Sequence, residues 1–88
     1  MTIEVANNFK NLMALTDINP DMFTYTDLKM HSKLNGIELN EIDSALNISR
    51  STRRTHAKKN NGVLGSKYFY ILTGMIAIRM QSKVKIVD

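Results

Sequence analysis

Residues 39–62, LNEIDSALNISRSTRRTHAKKNNG, decide how the whole chain is read. Leu39, Ile42 and Leu46 have the spacing of one apolar face of a short helix. Asn47-Ile48-Ser49 interrupts it: asparagine tolerates the left-handed conformation a sharp inter-helix turn requires, and Ser49 can cap the helix that follows. That second helix is expected from Arg50 to about Asn60, closed by Asn60-Asn61-Gly62. The stretch therefore predicts helix, tight turn, helix over 39–61. At about 100° per residue, with Thr52 set inward, His56 lies within about 40° of it and Lys59 within about 20° on the other side. Arg50, Arg54 and Lys58 then line the opposite face with Ala57 beside them, and Ser51 and Arg53 flank the stripe.

Working outward, helical signals dominate. Val5, Phe9, Leu12 and Met13 predict an amphipathic helix over Ile3 to Leu15, ending near Asp17. Asn19-Pro20 is a cap followed by proline at a first helical position, so a short turn begins there. Thr24 with Asp27 three residues on is a capping-box start for a helix facing Tyr25, Leu28 and Leu34 inward, with Gly36 as its left-handed stop. Beyond residue 62, Tyr68, Ile71, Leu72, Met75, Ile76 and Arg79 predict a long helix from Ser66 to about Ser82. Phe69, Tyr70, Ile78 and Met80 make that helix apolar on a second side as well. The competing reading takes KYFYIL, residues 67–72, as a short β-wing. The fold class is thus an all-α helix-turn-helix domain with an apolar C-terminal helix, a winged helix being the alternative.

Length and composition set the frame. The 88 residues, with 43% hydrophobic, 23% charged, one proline and no cysteine, describe a single small domain, 1–88, with neither disulfides nor a thiolate metal site. A core this small buries only roughly 60–65% of the unfolded surface, so oligomerisation is the natural further source of stability. A helix apolar nearly all round points the same way. The segment 66–82 is accordingly expected to join a homodimer, with Phe69, Leu72, Ile76 and Met80 in the contact. The N-terminus carries Glu4 and no basic n-region, so a signal peptide is not expected.

Charge is divided along the chain. Residues 1–43 hold seven acids against three bases, a net −4, whereas residues 44–88 hold nine bases against Asp88 alone, a net +8. A 44-residue run, 44–87, contains no acid at all. Such a field favours a polyanionic partner, nucleic acid or an anionic membrane surface.

The run from Leu46 through Ser49-Arg50-Ser51-Thr52 to Arg54 resembles the turn and recognition-helix start of bacterial and phage helix-turn-helix DNA-binding proteins. It is most similar to the pattern of gluconate-repressor-type regulators: leucine, small, valine or isoleucine, serine, arginine, any, threonine, apolar, arginine. The resemblance covers the 24 residues 39–62 of the 88. It departs where those regulators have glycine at Asn47, an apolar residue at Arg53 and another near His56, which leaves the second helix almost without an apolar anchor.

The resemblance implies sequence-specific double-stranded DNA binding by a small transcriptional or replication regulator, such as a repressor, of bacterial, phage or plasmid origin. Its place would be the cytoplasm or nucleoid. The expected DNA-binding residues are Ser49, Arg50, Ser51, Thr52, Arg53, Arg54, Ala57, Lys58 and Lys59. Base contacts would come mainly from Arg50, Ser51 and Arg54 at the start of the recognition helix.

Other chemistry is not indicated. His31 and His56 lack metal-ligand spacing, and Asp27, Glu38, Glu41 and Asp43 read as helix-start and solvent-face charges. The four glycines form neither a P-loop nor a dinucleotide fingerprint. The six methionines read as core filler, and Tyr25, Tyr68 and Tyr70 as core or interface residues ahead of the base-stacking role their rings could also serve. No enzyme activity, cofactor, metal or small-molecule substrate is expected. Two readings from other classes are an adaptor using the apolar C-terminal helix and a peripheral binder of anionic membrane through Tyr68 to Lys85.

Overall fold

The structure, a computed structural model, describes residues 3–83, with side chains from 9 to 80. The chain is all-α: α1 (Ile3–Thr16), α2 (Tyr25–Leu34), α3 (Leu39–Leu46), α4 (Arg50–Lys58) and α5 (Ser66–Lys83), with 3-10 turns at Pro20–Met22 and Asn60–Gly62. Local chemistry accounts for most of these boundaries. Asn19 Oδ1 accepts from the Asp21 amide at 3.1 Å ahead of Pro20. At the start of α2, Thr24 Oγ1 accepts from the Asp27 amide and Asp27 Oδ2 accepts from the Thr24 amide, each at 3.1 Å, which is the reciprocal capping box. Gly36 turns the chain out of α2 at φ 66°.

α5 is the centre of the molecule. α1, α2, α3 and the first 3-10 turn all pack against it. It supplies Tyr68, Phe69, Leu72, Ile76 and Met80 to a core completed by Leu15, Phe23, Leu28, Ile37 and Ile42. Each such side chain fully withdrawn from water stabilises the fold by roughly 1.5–3 kcal/mol. Phe23 sits edge-on to Phe69 with centroids 5.6 Å apart. Its carbonyl accepts from the amides of Leu64 at 2.7 Å and Gly65 at 3.1 Å. An antiparallel bridge between Thr24 and Val63 completes this tie, which fastens the α4–α5 connection to the start of α2.

Several sequence expectations are corrected by this packing. Lys67–Leu72 is the first part of α5 and not a wing; the described residues contain no strand beyond that single bridge. Phe69, Leu72, Ile76 and Met80, expected in a dimer contact, lie 6%, 0%, 2% and 7% exposed inside the protomer's own core. Four elements pack against α5 and cover Phe69 and Met80 on its second apolar side, while Tyr70 and Ile78 there stay 62% and 65% exposed. Of the segment Tyr68 to Lys85 that the adaptor and membrane readings use, Val84 and Lys85 lie outside the described residues. No described helix is long and apolar enough to cross a membrane. Leu34 is exposed, and in α1 Leu15 and the half-buried Leu12 face the core while Phe9 and Met13 face solvent. Met22 and Met30 are exposed too, so half of the methionines are not core filler.

Candidate nucleic-acid interface

The turn between α3 and α4 is built as its residues require. Asn47 adopts φ 55°, ψ 46°, the left-handed conformation. The Ile48 amide donates back to the Asp43 carbonyl at 3.0 Å, closing the end of α3. Ser49 is extended and its Oγ accepts from the Thr52 amide at 3.0 Å, opening α4. The Ser49 and Thr52 hydroxyls also share a 2.9 Å hydrogen bond. Both residues are thereby committed to starting the helix.

What holds α4 to the body is ionic rather than apolar. Arg53 Nη1 donates to Asp43 Oδ2 at 2.7 Å, with the two side chains 6% and 8% exposed. Arg53 therefore leaves the set of expected DNA-binding residues, because the position that similar regulators fill with an apolar side chain is filled here by a buried ion pair. Asp43 is likewise not a solvent-face charge. Beside the pair, His56 Nδ1 and Tyr68 Oη are 2.8 Å apart and their rings meet edge-on. Burial, and then the neighbouring Asp43 carboxylate, push the Tyr68 phenol above its ordinary pKa. The inward face of α4 is thus centred between Arg53 and His56, turned by about 70° from the expected centre at Thr52.

That rotation leaves an outward face of the anticipated kind. Arg50, Ser51, Arg54, Thr55 and Lys58 line one open depression. A second, lined by Tyr25, Arg54, Ala57 and Lys58, lies on the other side of the Arg54–Lys58 ridge. Ala57 is half-buried there, small enough to let a partner approach the helix backbone. None of Arg50, Arg54, Lys58 and Lys59 forms an ion pair with a described residue. Lys59 is exposed but stands past the end of α4, with ψ 157°, so it departs from the stripe.

Two contributors were missed in the sequence. Thr55 lies one turn beyond Ser51, whose carbonyl its hydroxyl contacts at 3.0 Å, and that i, i+4 relation was visible. Tyr25 comes from α2, and the sequence favours a core or interface role for it over base stacking. It is brought in by the tie between residues 23–24 and 63–65, with Lys29 Nζ 4.9 Å from its ring centroid. That long-range pairing leaves no local pattern.

The remaining charged groups serve the frame. Arg79 Nη1 donates to the Gly36 carbonyl at 2.7 Å and its Nη2 meets Glu41 Oε1, so α5 clamps the corner between α2 and α3. Glu41 Oε2 accepts from the Glu38 amide at 2.7 Å. That hydrogen bond first, and Arg79 with it, hold the Glu41 carboxyl below its ordinary pKa. His31 is buried, and burial pushes its imidazole down against the opposing pull of Asp27. Among the described residues no three acids and histidines are grouped to hold a metal ion.

The site and fold define an all-α domain whose α4, behind a left-handed turn, carries Arg50, Arg54 and Lys58 outward with no ion pair to a described residue. No family model matches the chain, and neither a curated protein nor a solved structure matches it.

Proposed function

We propose that the protein binds double-stranded DNA, inserting α4 into the major groove, and acts as a small transcriptional or replication regulator. The observation that carries the reading is the outward face of α4: Arg50, Ser51, Arg54, Thr55 and Lys58 beside one open depression, the cations in no ion pair with a described residue. In this reading Arg50 and Arg54 bond guanine O6 and N7 bidentately, while the hydroxyls and Lys58 hold phosphates. The role is occupancy without catalysis. A bound protein blocks or recruits a polymerase or replication complex, in a bacterial, phage or plasmid setting, in the cytoplasm or nucleoid. Two protomers reading two half-sites double the contact set.

Duplex binding measured by fluorescence anisotropy across a salt series tests it. Each cation on a phosphate contributes roughly −0.9 to the slope of log K against log salt, so Lys58 of two protomers alone gives a slope of roughly −2. Arg54→Ala relaxes base preference at a cost of roughly 1–3 kcal/mol, whereas Lys58→Ala weakens all duplexes alike. Salt-insensitive binding, or binding unchanged in the Arg50→Ala/Arg54→Ala double variant, removes α4 from the interface.

A further inference from the structure

The cationic surface of α4 continues onto a second helix. Tyr25, the first residue of α2, lines a depression together with Arg54, Ala57 and Lys58 of α4. Lys29 follows one turn later, about 40° around the α2 axis and about 6 Å along it. Its Nζ stands over the Tyr25 ring, 4.9 Å from the centroid. A ring face attracts a cation through its quadrupole, so Tyr25 holds this ammonium back toward the end of α2 that adjoins α4. Lys29 is exposed and forms no ion pair with a described residue. By sequence it belongs to the acidic half, residues 1–43. The tie between residues 23–24 and 63–65 nevertheless brings Tyr25, and Lys29 with it, to the flank of the basic helix. Further along α2 a separate depression is lined by Lys29, Lys33 and Glu38 among others.

We propose that Lys29 holds a phosphate of the DNA strand that walls the groove α4 enters. The inference rests on α4 being the groove-reading helix, and it adds a contact from an element outside the helix-turn-helix. The major groove is about 12 Å wide and a helix with its side chains about 10–12 Å across, so α4 fills the groove from wall to wall. Whatever stands beside α4 then lies over a phosphate strand and not over bases. A lysine suits that place. Its compact ammonium accepts a phosphate as a point charge and carries no base discrimination of its own. Lys33 does not extend the contact. It shares its depression with the Glu38 carboxylate, which repels a phosphate, whereas the Lys29 ammonium is drawn away from there over Tyr25. The phosphate contact of α2 therefore stops at Lys29.

Fluorescence anisotropy of the full chain on two duplexes of unrelated sequence, across a salt series, reads the contact. Lys29→Ala makes the slope of log K against log salt shallower by roughly 0.9 for each bound protomer. It weakens both duplexes alike, by roughly eight-fold per contact at about 0.1 M salt. Lys29→Arg keeps the slope, because the charge stays. Lys33→Ala removes the same charge one turn further on and leaves both slope and affinity as in the wild type. All three positions changed are exposed, so helical circular dichroism is the same throughout. A slope unchanged in Lys29→Ala, or an equal loss in Lys33→Ala, overturns the proposal and leaves α4 in the groove. The Arg50→Ala/Arg54→Ala double variant on the same duplexes decides the reading beneath it: unchanged binding there takes α4 out of the groove, and the Lys29 contact falls with it.

Discussion

Arg53 and Asp43 illustrate what a single pair of residues decides. Both leave water, and the cost of stripping two ions is recovered only while each has the other. Asp43→Ala leaves an uncompensated guanidinium inside and is expected to destabilise the protein by roughly 3–5 kcal/mol in urea unfolding. Asp43→Leu combined with Arg53→Met removes both charges and recovers most of that loss. A cost under about 1 kcal/mol for Asp43→Ala alone would show that water reaches the pair. The sequence could not announce this arrangement. Arginine is among the residues least often found buried, and ten positions on two different helices correspond to no local period. The one legible sign was positional: Arg53 stands where the similar regulators carry an apolar side chain, so its place pointed inward while its charge pointed out.

At the scale of the element, α3, the turn and the start of α4 were readable because each boundary is set by neighbours in the chain. Asn47 at φ 55° is the pivot. Asn47→Val forces a β-branched residue into the left-handed region and is expected to cost roughly 1–3 kcal/mol, while Asn47→Gly stays within about 1 kcal/mol of the wild type. Thermal melting of both checks it, and a valine as stable as the glycine would mean the turn has another shape. Which side of a helix faces inward was read less well. In α1 the stripe through Phe9 and Met13 and the stripe through Leu12 and Leu15 are both apolar, and only the position of α5 selects between them. The same holds for Leu34 in α2. In α4 the rotation from Thr52 to Arg53 follows from a partner on α3 that spacing does not reveal.

For the molecule as a whole, α5 is the piece against which the others are arranged. Ile76 is 2% exposed in the core of one protomer, so Ile76→Asp buries a carboxylate with no partner. The cost of that is comparable with the 5–15 kcal/mol that holds a typical domain together. The expected outcome is a chain without cooperative unfolding by circular dichroism, not a folded monomer released from a dimer; a folded variant would place Ile76 elsewhere. The sequence showed that α5 was too apolar for one helix face, but not that four neighbouring segments would cover Phe69 and Met80 and leave Tyr70 and Ile78 outside, since those contacts join residues far apart in the chain. The order of the elements also sets a schedule. During synthesis α5 is the last of them to leave the ribosome, and its 18 residues take about one to four seconds to add at ~5–20 per second. Until then Leu15, Phe23, Leu28, Ile37 and Ile42 have been made without the helix that covers them. The nascent chain waits for its keystone, and for those seconds its apolar side chains are within reach of chaperones.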